Sequence, residues 1–127
     1  MKTLMLQETN KTPFVKCDPI IGVIELKGRS IPENATSFFS PIVDEWLENY
    51  LQNPVEPTTF NVALEYFNTS TSMWILRILK KLDSLFLNKN KKVVVNWHYT
   101  DEDILDSGVD FQKVVSVPFI WIDIQKQ

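Results

Sequence analysis

The sequence contains few of the residues from which common catalytic and metal centres are built. Cys17 is the single cysteine and His98 the single histidine of the 127-residue chain. A disulfide framework and a cysteine-based metal site within one chain are therefore excluded. The three glycines form no phosphate-cradling loop, and the GxSxG, HExxH and CxxC motifs are absent from the sequence. We therefore expect no cofactor, no bound metal and no enzymatic activity.

The charge and hydropathy of the chain argue against two further classes of partner. A formal net charge of −3 and a pI near 5.1 speak against a dedicated nucleic-acid-binding protein, which usually carries excess positive charge. No run of about 18 apolar residues is present to span a bilayer, and the N-terminal stretch does not resemble a secretory signal. We expect no membrane insertion, one compact domain over residues 1–127, and a cytoplasmic location.

Hydrophobic spacing divides the chain into strands and helices. Alternation predicts strands over residues 3–7, 14–17, 23–27, 58–67, 92–99 and 119–124. Spacings of three and four predict helices over about 38–51, 70–87 and 101–115. The order is β-β-β-α-β-α-β-α-β, and parallel strands need a crossover such as a helix. We therefore predict an α/β fold with a mixed sheet, in which N-terminal antiparallel strands precede parallel β-α-β units.

One side of the later strands is too polar to be covered by helices. Parallel strands that are buried on both faces are near-continuous apolar runs. Alternate positions here instead form a partly polar set: Asn61, Ala63, Glu65, Val94, Asn96 and His98, with Phe119, Trp121 and Asp123 in the last strand. We expect the helices mainly on the opposite face, which leaves this side available to loops or to a partner protein.

The most informative stretch is Leu64–Ser72, where a strand-like pattern ends in four consecutive hydroxyl residues and a helical pattern begins. The first N–H groups of a helix lack intrahelical partners, and the helix dipole adds partial positive charge, so a phosphate is stabilised there. Thr69 or Ser70 is predicted to cap the helix, and the run could also be a phosphorylation site. Both interpretations stay open, because Ser and Thr are favoured caps whether or not they are modified.

Other residues that could carry chemistry have simpler structural explanations. Cys17 is typical of a small strand residue, and His98 has no identifiable catalytic partner. The acidic run over 101–110 is typical of the first turn of a helix rather than of a calcium loop. Basic residues between 77 and 92 fit a solvated helix face or the docking of an acidic partner. Among the four tryptophans, Trp74 and Trp121 are kept as candidate contact residues.

Four short motifs stand out along the chain: SIPEN at Ser30–Asn34, LEYFNTS at Leu64–Ser70, VNWHY at Val95–Tyr99 and VPF at Val117–Phe119. Together they resemble the SiaC family of bacterial biofilm-regulation phosphoproteins. The resemblance covers nearly the whole chain. It implies a fold similar to the anti-sigma factor antagonist (STAS) domain, which agrees with the predicted order of strands and helices.

The resemblance also implies a partner-switching role. In the family, the threonine corresponding to Thr69 is phosphorylated by a serine/threonine kinase that resembles anti-sigma factors, and a PP2C-type phosphatase reverses the modification. Only the unmodified form binds and activates a diguanylate cyclase, and the output is cyclic-di-GMP and biofilm formation. An alternative function is that of an anti-sigma factor antagonist acting on a kinase that otherwise holds a sigma factor.

Four residues near Thr69 are candidates for contact with a partner: Glu65, Asn68, Ser70 and Trp74. Glu65 and Asn68 stand beside the switch position, at the predicted strand end and in the following turn. Their simpler roles are those of a solvated strand residue and a turn residue. Ser70 and Thr71 are further hydroxyls at which a kinase could act.

Overall fold

A six-stranded mixed sheet forms the centre of the molecule. The computed structural model describes residues 1–124, so the end of the predicted domain at residues 125–127 lies outside the described residues. The strands are β1 (Leu4–Leu6), β2 (Phe14–Asp18), β3 (Val23–Ser30), β4 (Thr58–Phe67), β5 (Val93–Tyr99) and β6 (Phe119–Asp123). Their spatial order equals their sequence order. β1, β2 and β3 pair antiparallel and β3 to β6 pair parallel, which confirms the predicted mixed sheet.

Helical segments fill the connections between the parallel strands. They are α1 (Ala35–Ser40), a π-helical segment (Pro41–Leu47), α2 (Glu48–Tyr50), α3 (Thr69–Asn88) and α4 (Glu102–Gln112). The first helical stretch starts earlier than predicted because the Asn34 side chain caps it by accepting the N–H of Ser37. It widens to π geometry from Pro41, which has no N–H to donate to the preceding turn.

The helices pack on one face of the sheet. Alternate residues of β2 to β5 on that face are at most 3% exposed: Val15, Cys17, Ile24, Leu26, Phe60, Val62, Leu64, Val93, Val95 and Trp97. They share one core cluster with side chains from every helical segment. Intervening residues such as Glu25, Asn61 and Asn96 are only half-buried. The expectation that helices lie mainly on one face is thereby confirmed.

In β6, the residues that face the helices are the set that was predicted to face away from them. Trp121 pairs with Trp97, which faces the helices, so Trp121 lies on the covered face. Three residues are therefore wrongly predicted to lie on the polar face: Phe119, Trp121 and Asp123. The open face of β6 carries Ile120 and Ile122 instead. Both sets contain large apolar side chains, so alternation alone does not identify the inward set.

Candidate functional site

Thr69 is the first residue of α3 and is exposed. It follows the carboxyl end of β4 after a single intervening residue, Asn68. The N–H of Asn68 donates to the carbonyl oxygen of Ser30 at 3.1 Å, which ties this turn to the carboxyl end of β3. The sheet thus presents Thr69 at the edge where its parallel strands end.

The N-cap of α3 is Asn68, so the prediction that Thr69 or Ser70 caps the helix is wrong. Asn68 has extended backbone angles, φ −91° and ψ 177°, and its Oδ1 accepts the N–H of Thr71 at 3.0 Å. The same oxygen accepts the Ser70 hydroxyl at 3.0 Å. Asn is as good a cap as Ser, and its amide also fits the turn from strand to helix. Among the described residues, the Thr69 hydroxyl has no hydrogen-bond partner and takes no part in capping.

Capping by Asn68 leaves two N–H groups at the helix start for other acceptors. The N–H of Thr71 is satisfied by the cap, and that of Ser72 donates to the carbonyl oxygen of Asn68 at 3.0 Å. The N–H groups of Thr69 and Ser70 precede the first intrahelical bond. A phosphate on Thr69 would therefore meet free donors and the positive end of the α3 dipole.

Thr71 is sequestered from solvent and from any modifying enzyme. It is fully buried, and its hydroxyl donates to the carbonyl oxygen of Ser30 at 3.1 Å. The hydroxyl oxygens of Ser30 and Thr71 lie 2.8 Å apart. These two hydrogen bonds hold the first turn of α3 against the end of β3. Phosphorylation of Thr71 would require this contact to open, whereas Thr69 is already accessible.

Three exposed residues lie near the carboxyl ends of β3 and β4: Arg29, Glu65 and Tyr66. Glu65 is exposed, on the strand side that carries no helix, and Tyr66 is 49% exposed. The Arg29 guanidinium lies 5.6 Å from the centre of the Tyr66 ring, within range of a cation–π contact. Sequence reasoning identified Glu65 but missed Tyr66 and Arg29. Their pairing depends on the irregular register after Gly28, which no local pattern predicts.

Trp74 packs in the core and offers a partner little surface. It is 7% exposed and stacks on Phe39 with ring centres 5.9 Å apart and planes 17° apart. The Arg77 guanidinium lies 4.3 Å from the centre of the Trp74 ring. The indole is therefore largely covered by Phe39 and Arg77, and a contact of Trp74 with a partner stays a prediction.

The remaining chemical candidates have structural roles. Burial raises the pKa of the Cys17 thiol to about 12, so the reactive thiolate does not form near neutral pH. His98 is half-buried, with Nδ1 3.1 Å from the carbonyl oxygen of Val62. Asp101 caps α4 by accepting the N–H of Ile104 at 2.9 Å.

Within residues 1–124, no helix is long and apolar enough to cross a membrane.

Comparison with known proteins identifies the family. A family model described as SiaC family regulatory phosphoprotein matches residues 6–124. The chain belongs to this family. Apo-SiaC from Pseudomonas aeruginosa has 28% sequence identity and a TM-score of 0.88, covering 96% of this chain and 99% of that chain. An uncharacterised protein of P. aeruginosa strain UCBPP-PA14 is 29% identical over 121 residues, 94% of each chain.

A further SiaC structure contains a partner. It is the crystal structure of the diguanylate cyclase SiaD in complex with its activator SiaC from P. aeruginosa. The match has 28% identity and a TM-score of 0.88, and it covers 94% of this chain and 98% of that chain. The family resemblance inferred from the sequence motifs is thereby confirmed.

The SiaC-family motifs are distant in sequence but adjacent in the fold. SIPEN begins at the end of β3, LEYFNTS runs from β4 into α3, and VNWHY ends β5. β3 pairs with β4 and β4 pairs with β5, all in parallel. These three motifs therefore meet at the edge of the sheet that carries Thr69, whereas the fourth motif, VPF, leads into the start of β6.

Replacing the cap should destabilise the protein measurably. We expect Asn68→Ala to lower the free energy of unfolding by about 1 kcal/mol, because the N–H of Thr71 loses its acceptor. Urea denaturation followed by tryptophan fluorescence measures the change. Asn68→Asp keeps the acceptor and should stay within about 0.5 kcal/mol of the natural protein. Equal stability of Asn68→Ala and Asn68→Asp would contradict the assignment of the cap.

Proposed function

We propose that this SiaC-family protein is a phosphorylation-controlled partner-switching regulator, and that its unphosphorylated form binds and activates a diguanylate cyclase. The proposal depends above all on Thr69, an exposed threonine whose hydroxyl is uncommitted at the start of a helix capped by another residue. It is supported by the 28% identical SiaC, which is the activator of the cyclase SiaD in their complex. The protein itself acts without catalysis, and the output is cyclic-di-GMP and biofilm formation.

The switch follows from where the phosphate would be placed. A phosphate on Thr69 adds roughly −1.5 to −2 charges. The helix dipole and the free N–H groups stabilise it locally, so the domain stays folded. If Thr69 lies inside the docking surface, a partner must desolvate this charge, which costs several kcal/mol when it is unpaired. Since about 1.4 kcal/mol corresponds to tenfold in affinity, binding should fall roughly 100-fold or more.

The modifying enzymes of this proposal are a serine/threonine kinase of the anti-sigma type and a PP2C-type phosphatase. The exposed position of Thr69 would let either enzyme reach the side chain without unfolding α3. The half-buried Ser70 hydroxyl is engaged by Asn68, and Thr71 is buried, so neither competes well for the kinase. Because the kinase consumes ATP, we place the protein in the cytoplasm.

The proposal is tested by phosphorylation in vitro followed by binding. The protein is incubated with the kinase and ATP, and its intact mass and fragment masses are measured. We expect a single phosphate on Thr69, and no phosphate on Thr69→Ala. Calorimetry should then show cyclase binding for the unmodified protein and a loss of roughly 100-fold or more for the phosphoprotein. Unchanged cyclase binding after full modification would contradict the switch, and capture of a kinase that otherwise holds a sigma factor would favour the antagonist role.

A further inference from the structure

The outer edge of β6 is open to a further strand. Within residues 1–124, β6 is the last strand of the sheet and pairs with β5 alone. The carbonyl oxygen of Pro118 accepts the N–H of Val95 at 2.9 Å, so Pro118 points its backbone oxygen toward β5. Backbone direction alternates along a strand, and Phe119 and Trp121 therefore point their N–H and carbonyl groups away from the sheet. This edge offers hydrogen-bond donors and acceptors to another strand.

The features that usually protect a sheet edge are missing from β6. Natural proteins shorten an edge strand, place lysine or proline in it, bend it with a bulge, or cover it. The opposite edge strand, β1, is only three residues long. β6 has five residues, FIWID, with neither lysine nor proline, and its register with β5 is regular. In the described part of the chain, α4 lies mainly over β5 and β4 on one face and leaves the edge of β6 uncovered.

Both faces of β6 carry large apolar side chains close to this edge. On the face without helices, Ile120 is 51% exposed and Ile122 is half-buried. On the other face, the half-buried Trp121 lies beside Phe119, with ring centres 5.2 Å apart. Open backbone groups together with exposed apolar side chains are the features by which one strand adds to another.

The sequence of β6 is complementary to itself when two copies run antiparallel about a two-fold axis at Trp121. Ile120 of each copy then faces Ile122 of the other, in a pair without hydrogen bonds, where Cα atoms are about 4.5 Å apart and side chains touch. The two Trp121 residues face each other and exchange two backbone hydrogen bonds, because their N–H and carbonyl groups point outward. Asp123 faces Phe119 of the other copy, so no two carboxylates are opposed. A second copy therefore matches this edge in backbone, side chains and charge.

We propose that β6 is a homodimerisation edge, at which two copies of this chain pair their β6 strands antiparallel and join their sheets into one. The same five residues of both copies form the contact, so the assembly closes at two subunits. The occupant of the edge is a second copy because the strand's own sequence supplies each pairing partner. This interaction is separate from the proposed function and requires neither the cyclase nor phosphorylation.

The dimer leaves the switch position accessible in both copies. Thr69 follows the carboxyl end of β4, two strands away from β6, which is roughly 10 Å across the sheet. The two-fold axis is perpendicular to the paired strands and to the sheet, so the parallel strands of the two copies point in opposite directions. The two Thr69 residues therefore lie at opposite ends of the joined sheet, away from the dimer contact.

The test is analytical ultracentrifugation of the natural protein and its variants over a concentration series that reaches about 1 mM. We expect a monomer–dimer equilibrium, and Ile120→Lys should raise its dissociation constant roughly tenfold or more, because a charged side chain replaces an apolar contact at the edge. Ile120→Val keeps an apolar β-branched side chain and should stay within about threefold of the natural protein. Ile20→Lys adds the same charge in the β2–β3 turn, far from β6, where Ile20 is 82% exposed, and should dimerise normally. Thermal melts confirm that each variant is folded.

Hydrogen exchange of the natural protein tests the edge without a substitution. The amide hydrogens of Phe119 and Trp121 should exchange more slowly at high protein concentration, because strand pairing gives them acceptors. The amide hydrogen of Ile20, which donates to the Asp18 side chain within its own turn, should exchange at the same rate at all concentrations.

Weaker dimerisation of Ile120→Lys, together with slower exchange at Phe119 and Trp121, supports pairing at the β6 edge. A protein that stays monomeric throughout the series overturns the proposal, as does normal dimerisation of a folded Ile120→Lys. A dimer in which Phe119 and Trp121 exchange as fast as in the monomer also overturns it, whether or not Ile120→Lys folds. None of these results depends on the cyclase, so the proposed function is tested separately.

Discussion

Thr69→Glu is expected to weaken cyclase binding by roughly tenfold or more, while Thr69→Ala is expected to bind like the unmodified protein. Among the described residues the Thr69 hydroxyl has no hydrogen-bond partner, so its removal breaks no hydrogen bond among them. A glutamate places one negative charge at the start of α3, where a phosphate places roughly −1.5 to −2, so its effect should be smaller than that of phosphorylation. Calorimetry with the cyclase measures both variants.

Thr69→Gln is the matched control for this pair. It has nearly the size of Glu but no charge, so it should bind the cyclase more tightly than Thr69→Glu. The helix dipole favours a negative charge in the first turn, and Thr69→Glu should therefore be at least as heat-stable as Thr69→Gln. Equal weakening by Gln and Glu would show that bulk rather than charge blocks docking. Full binding by Thr69→Glu would contradict an electrostatic switch.

Gly108→Ala is expected to destabilise the protein by about 1 to 2 kcal/mol, although alanine is the better helix former. A Cβ at Gly108 would lie 2.5 Å from Nε1 and 2.6 Å from Cε2 of Trp97, and 2.7 Å from Cζ3 of Trp121. Trp97 is fully buried, and its N–H donates to the carbonyl oxygen of Ile104 at 2.9 Å, so the indole cannot easily move aside. The propensity gain of about 1 kcal/mol is smaller than the expected cost of overpacking.

Asp106→Ala is the control for this substitution within the same helix. Asp106 is exposed in α4, so alanine there gains propensity without entering the core. Its free energy of unfolding should be unchanged or higher by a few tenths of a kcal/mol. Urea denaturation followed by tryptophan fluorescence compares the two variants. A Gly108→Ala protein that is more stable than the natural one would contradict the close packing of α4 on β5 and β6.

The order of strands and helices could be predicted because most of the hydrophobic patterns are one-sided. In β4, buried Phe60, Val62 and Leu64 alternate with less apolar neighbours, so the strand and its inward face can be identified together. In β6, both faces carry large apolar side chains, and the packing of α4 on Trp121 decides the orientation. That contact depends on tertiary structure, which a local pattern does not contain.

The sequence predicts the candidate site, but it does not predict which of the hydroxyl groups in that site is accessible. In the sequence, Thr69, Ser70 and Thr71 are consecutive hydroxyl residues that no local pattern distinguishes. Thr71 is buried in contact with Ser30, which is 41 residues away in the sequence. The Ser70 hydroxyl donates to the side chain of the cap residue Asn68. Trp74 likewise has the same local appearance whether it is exposed or covered. Its position is set by stacking on Phe39, from a different helix.

The most direct test of the central claim is the cyclase's rate of cyclic-di-GMP production, measured while this protein is titrated. The unmodified protein should activate the cyclase to a saturating rate, and protein fully phosphorylated on Thr69 should not activate it over the same concentrations. Treatment of the phosphoprotein with a PP2C-type phosphatase should restore activation. Equal activation by both forms, or activation by the phosphorylated form alone, would contradict the proposed switch.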